Sequence, residues 1–196
     1  QPPCSTLRLS PRGYRLLCID AEGRATLFEL PAGQPLATVP GATATSELQP
    51  EFSADGTRLV LPHGSDAAQI LDEDGHIIGK VAVPNLRRVT LSRDGKQLAT
   101  VDEHGDVRIW STQTLVTTST LHRASPSESP AKLAQTRGVS ACSDLPMQSL
   151  ERLSGRLSVG FAPGRAELLL CTADANYPWG HADVVSLDSL ARGISR

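Results

Sequence analysis

Between residues 86 and 111 apolar and polar positions alternate in three short runs, "LRRVTLS", "QLATV" and "DVRIW", separated by glycine-bearing turns. Period-two alternation over such lengths predicts half-buried β-strands joined by tight hairpins. The same order of parts occurs earlier. "SPRGYRLLCIDAEGRATLFE" (10–29), "SADGTRLVLPHGSDAAQILD" (53–72) and "SRDGKQLATVDEHGDVRIWS" (92–111) superimpose without a gap. Gly13, Gly56 and Gly95 align, each three residues after a serine, with Leu16, Leu59 and Leu98 three residues beyond. Asp20, His63 and Asp102 fall seven residues after the glycine, and Gly23, Asp66 and Gly105 ten after it, at a second turn. Phe28, Leu71 and Trp110 come fifteen residues after it. A more polar run follows each time, "QPLATVPG" (34–41), "HIIGKVAV" (76–83) and "LVTTSTLH" (115–122), suited to a fourth, outer strand.

A looser copy begins at Leu157, with Arg165 in the glycine slot, Leu168 three residues on, and about seven residues inserted before Leu187 and Asp188. No convincing helical period of ten or more residues is present. The fold class is therefore all-β, in four-stranded antiparallel units. A single four-stranded sheet cannot bury both faces, so such units must stack, and radial stacking into a β-propeller leaves only short protected edges. A β-sandwich also has turns at this spacing, but it does not require each fourth strand to restart one motif in register. The expected organisation is a first blade at 5–42, a second at 47–84, a third at 86–123, a Ser/Pro-rich insertion at 124–153 and an incomplete fourth blade at 154–196.

The stretch "LSRDGKQLATVDEHGDVRIWS" resembles a WD40 repeat, with Trp110-Ser111 in the place of the Trp-Asp pair and Phe28-Glu29 and Leu71-Asp72 as degenerate versions. The resemblance covers most of residues 5–123 and reaches 154–190. It implies a propeller, commonly of seven blades, that acts as a rigid platform for partner proteins. About four blades here would either close as a small propeller or, as is favoured, form part of a larger one with its remaining blades in the same or another chain. The chain departs from the family where the turn before the Trp strand often carries Asp: Glu22, Ser65 and His104 stand there. The family's Gly-His pair is also absent before each of the first three units.

Composition narrows the function. With 19 Lys and Arg against 21 Asp and Glu, and no long block of either sign, nucleic acid and membrane surfaces are poor partners. No apolar run approaches the length of a spanning helix, and the first residues lack the regions of a signal peptide. Cys4, Cys18, Cys142 and Cys171 are scattered without a C-x-x-C pair, which disfavours zinc. Cys18 and Cys171 lie within apolar runs, so they are expected as buried free thiols, with a disulfide as the alternative, in a reducing, cytoplasmic setting.

Catalytic chemistry is not expected. "HGSD" at 63–66 puts His, Ser and Asp side by side, but neighbours in one tight turn point apart, whereas a triad is assembled by a fold. Asp174, His181 and Asp183 make a poor cation site, and no cofactor motif is present. The expected function is a non-catalytic interaction scaffold; the alternative is the propeller portion of a larger enzyme or signalling protein whose catalytic domain lies elsewhere. Turns and connections at one rim would present Glu22, His63, Asp66, Asn85, Arg87, Glu103 and His104, and the long loop of the fourth unit Asn176, Tyr177, Trp179 and His181, to a protein partner. In the insertion, Ser125 and Ser129 each precede proline and are candidate phosphorylation sites, and Met147, Leu150 and Leu153 share one spacing.

Overall fold

The computed structural model describes residues 3–46, 48–121, 157–161, 167–172 and 181–186. These form β-strands without helices, arranged as four antiparallel meanders. The first sheet contains β1 (Cys4–Leu9), β2 (Arg15–Asp20), β3 (Ala25–Glu29) and β4 (Gln34–Val39). The second contains β5 (Glu51–Phe52), β6 (Arg58–His63), β7 (Ala67–Asp72) and β8 (Ile77–Ala82). The third contains β9 (Leu86–Leu91), β10 (Gln97–Asp102), β11 (Val107–Ser111) and β12 (Thr117–Leu121). The fourth shows β13 (Leu157–Phe161), β14 (Glu167–Thr172) and β15 (His181–Ser186). Strands pair in sequence order within every sheet, and the first strands of the second, third and fourth sheets approach one another.

Local chemistry fixes the first hairpin of each complete sheet. Ser10, Ser53 and Ser92 are buried, and each hydroxyl accepts the backbone N–H of the residue that opens the next strand, Arg15, Arg58 and Gln97, at 2.9–3.0 Å. The Ser53 and Ser92 hydroxyls also donate to Asp55 and Asp94, at 2.7 and 2.8 Å. The glycine closes the turn in the left-handed region, with φ of 75° at Gly13, 71° at Gly56 and 65° at Gly95, where a Cβ would be strained.

The two faces of each sheet then divide by parity. Leu17, Ile19, Ala25 and Leu27 of the first sheet pack on Leu59, Leu61 and Leu71 of the second, with Phe52 beside them. The opposite face of the second sheet, Val60, Ala68 and Ile70, packs on Val89, Leu91, Leu98 and Trp110 of the third. Ala99, Val101, Val107 and Ile109 continue the pattern onto Val159, Leu168 and Phe161 of the fourth. Burial of both faces of the second sheet explains why its central strands, β6 and β7, read as near-continuous apolar runs.

Slots that align in the sequence are filled differently. At one, Trp110 of the third sheet donates its indole N–H to the Thr100 hydroxyl at 2.9 Å, a polar anchor within a buried face. The residues aligned with Thr100 are Leu61 in the second sheet and Cys18 in the first, and Cys18 is joined to Cys4 by a disulfide. This corrects the expectation of a free thiol at Cys18, one of the two cysteines on which the expected reducing compartment rested. The physical reason is the irregularity in the β1–β2 register between Cys4 and Thr6, which pairs Cys4 with Asp20 and so sets it on the face that Asp20 shares with Cys18, bringing the two sulfurs within bonding reach.

The fourth sheet keeps the expected alignment over its first hairpin: Phe161 pairs with Leu168 as Leu91 pairs with Leu98. Its third strand differs. Leu168 pairs with Val185, so Val185 and Ser186, rather than Leu187 and Asp188, take the places of Trp110 and Ser111.

One carboxylate lies in the joint between the second and third sheets. Glu51, half-buried on β5, accepts the Thr90 hydroxyl at 3.0 Å and the Leu91 N–H at 3.2 Å. Burial pushes its pKa up to about 7, against the lowering effects of those two hydrogen bonds and of the Arg88 charge. The folded state therefore holds a proton that the unfolded chain has released, and stability falls as pH rises from about 4.5 to 7. Glu51→Gln keeps the acceptor and removes the ionisation. The variant is expected to match the parent near pH 4.5 and to exceed it by about 1–2 kcal/mol at pH 8, allowing for residual solvent contact. Urea melts across that range provide the check, and a gap that does not widen with pH refutes the assignment.

Candidate functional site

The end of the sheets bearing the β2–β3, β6–β7 and β10–β11 turns also carries the β4–β5 and β8–β9 connections. Two of these turns are organised by one device. Asp20 Oδ1 accepts the N–H groups of Glu22 and Arg24 at 3.0 and 2.9 Å, and Asp102 Oδ1 accepts those of His104 and Asp106 at 3.0 and 3.1 Å. The Arg24 backbone hydrogen bond, aided by the Arg24 guanidinium, holds the Asp20 carboxyl below its ordinary range. Both aspartates stand in one slot of the repeat, and the Asp-x-x-Gly spacing of 20–23 and 102–105 is the sequence signal for them.

The β6–β7 turn has no such aspartate and is held by its neighbours. Gly64 N–H donates to the Thr43 hydroxyl, Leu86 N–H to the Ser65 carbonyl and Val83 N–H to the Asp66 carbonyl. Asn85 adopts φ of 53°, an unusual conformation for a residue with a side chain, tolerated best by Asn and Asp. In that pose its N–H donates to Asp66 Oδ1 at 3.2 Å and its side-chain amide to Glu103 Oε1 at 2.5 Å. Arg87 Nη2 lies 4.0 Å from Glu103 Oε2. Asp66, Asn85, Arg87 and Glu103 thus form one polar chain across the second and third sheets.

Beside this chain is an open notch of about 240 Å³. Its floor includes the buried Leu48 and Leu86, and its walls carry Thr43, Thr45, Ser65, Asn85 and Arg87. An apolar floor ringed by hydroxyls, an amide and a guanidinium suits a protruding side chain of a partner better than a flat contact would.

Other residues expected at the rim are placed differently. Glu22 is on the first sheet, apart from this chain, and pairs with Arg24 at 2.8 Å. His104 is exposed, its ring 4.0 Å from Asp102. His63 is half-buried beneath the β4–β5 connection: a Cβ on Gly41 would meet its ring at 2.4 Å, and its buried Nδ1 has no hydrogen-bond partner. That pose, with Asp66 turned to Asn85, leaves "HGSD" without the hydrogen-bonded relay of a triad. Asn176, Tyr177 and Trp179, along with Asp174, Ser125, Ser129, Met147, Leu150 and Leu153, lie outside the described residues. His181 opens β15.

No family model matches the chain. No curated protein matches it either. Among solved structures it is similar to "KlHsv2 with loop 6CD replaced by a Gly-Ser linker", with a TM-score of 0.56 at 14% identity, over 87% of this chain and 47% of that one. The chain thus spans about half the length of that protein, and the likeness concerns the arrangement of the sheets alone.

Proposed function

We propose that the chain is part of a WD40-like β-propeller serving as a non-catalytic platform for a protein partner, which docks at the rim around Asp66, Asn85, Arg87 and Glu103. Face-to-face stacking of sequential four-stranded meanders, with their first strands drawn together, supports the propeller reading. The observation that carries the docking site is the coincidence of a left-handed Asn85, a polar chain bridging two sheets, and a notch with an apolar floor. Strained backbone of this kind collects at binding sites, where the surroundings hold it in place.

Arg87→Glu sets two carboxylates against each other at the rim without touching the buried core. In pull-downs from native extract it is expected to lose at least one partner that the parent retains, while Lys80→Glu, on the outer strand β8, loses none. Identical partner sets for parent and Arg87→Glu overturn the docking site.

A further inference from the structure

Among the described residues nothing covers one face of the first sheet, whereas the equivalent face of each other sheet packs on the sheet before it. Leu16, Leu59, Leu98 and Leu168 occupy one slot and pair respectively with Leu9, Phe52, Leu91 and Phe161. Leu59, Leu98 and Leu168 are fully buried because the preceding sheet covers them, whereas Leu16 is half-buried. The contrast is sharper on the first strand. Leu91 and Val89 are each 5% exposed, while Leu9 and Leu7, at the matching positions, are 59% and 54% exposed. Phe28, in the slot of Leu71 and Trp110, completes the patch, with the exposed Leu36 on the neighbouring strand β4. A contiguous apolar face of this kind marks an interface.

The kind of surface that fits is given by the three joints already present. Each joins this face of one sheet to the opposite-parity face of the sheet before it, built in the first sheet from Leu17, Ile19, Ala25 and Leu27. Among the described elements no sheet lies beyond the fourth, where the opposite-parity strand positions are again apolar: Leu169 pairs with Val184 and Cys171 with Ala182. Among the described residues there is therefore an unfilled socket at the first sheet and a matching set of strand positions at the fourth.

We infer that a second copy of this chain covers the first sheet, its fourth sheet docking on Leu7, Leu9, Leu16 and Phe28 in a head-to-tail joint that repeats the three internal ones. Such a contact is heterologous: it closes into a ring where the rotation allows and otherwise extends. It uses a surface separate from the rim, so it stands or falls independently of partner docking there.

The test is sedimentation equilibrium of the 196-residue chain at rising concentration, for the parent, Leu9→Lys, Val184→Lys and Ile77→Lys. The parent and Ile77→Lys, a charge on an outer strand, are expected to self-associate alike. Leu9→Lys and Val184→Lys are expected to associate at least about tenfold more weakly, because each places a charge in the joint. Circular dichroism of Leu9→Lys should remain that of the parent, since Leu9 is solvent-exposed within one chain. Mixing the two variants should restore one intact joint and yield heterodimers. A parent that stays monomeric, as it would if the face were reserved for a further sheet of a longer polypeptide, overturns the inference. So does a Leu9→Lys that associates like the parent, or a mixture that behaves as the sum of its parts.

Discussion

Truncating Leu98 to alanine is expected to lower the unfolding free energy by about 3 kcal/mol, and Ile77→Ala by less than about 0.5 kcal/mol. Both are strand residues of similar volume, and sequence periodicity alone does not separate them. Leu98 is fully buried in the joint between the second and third sheets, among Val60, Ile70, Leu91 and Trp110. Removing its branched end leaves a cavity that the close-packed sheets collapse into only partly, adding a cavity cost to the lost transfer energy. Ile77 opens the outer strand β8 at 52% exposure, and truncation there removes little buried surface. Denaturant melts by fluorescence of Trp110 and Trp179 provide the measurement. Equal losses for the two variants would mean that the second and third sheets are not stacked through this face.

The repeat was legible because its turns are local chemistry. A serine hydroxyl that reaches the N–H opening the next strand, and a glycine at positive φ, must recur at fixed spacing wherever the hairpin recurs, so Ser10, Ser53 and Ser92 set the register before any contact is known. The stacking of faces followed from parity alone. The third strand of the fourth sheet was misplaced for the complementary reason: a shift of two residues, from Leu187 to Val185, leaves every side on the same face, and only the actual pairing with Leu168 separates the two.

The rim was legible in part. Asp66, Asn85, Arg87 and Glu103 come from turns whose place at one end follows from the meander, and the structure joins them. Thr43, Thr45 and Leu48, which complete the notch, lie in a connection outside the repeated block, where no periodicity assigns them a position. The Asp-x-x-Gly spacing is ambiguous by itself. It also occurs at 72–75, where Asp72 takes the N–H groups of Asp74 and His76 in the β7–β8 turn at the other end of its sheet. Only strand order tells these ends apart.

Reduction of the Cys4–Cys18 bond is expected to cost about 3 kcal/mol, the chain-entropy value for a closed loop of about 15 residues. The bond occupies an instructive place. The first strands of the second and third sheets are held by the sheet stacked against them, whereas β1 carries Leu7 and Leu9 into solvent within a single chain. Cys18 stands where the third sheet has Thr100 anchoring Trp110, so a covalent tie from β2 to β1 replaces both a packed neighbour and a polar anchor. Cys4→Ser should therefore melt like the reduced parent and become insensitive to reductant, and its loss should concentrate in β1, read as faster amide exchange at Leu7 and Leu9 than in β10. Alkylation in denaturant gives an independent reading: Cys4 and Cys18 should resist iodoacetamide until a reductant is added. If both react without one, the pair is open in solution. The free-thiol reading of Cys18 then returns, and β1 must be held instead by whatever covers Leu7 and Leu9.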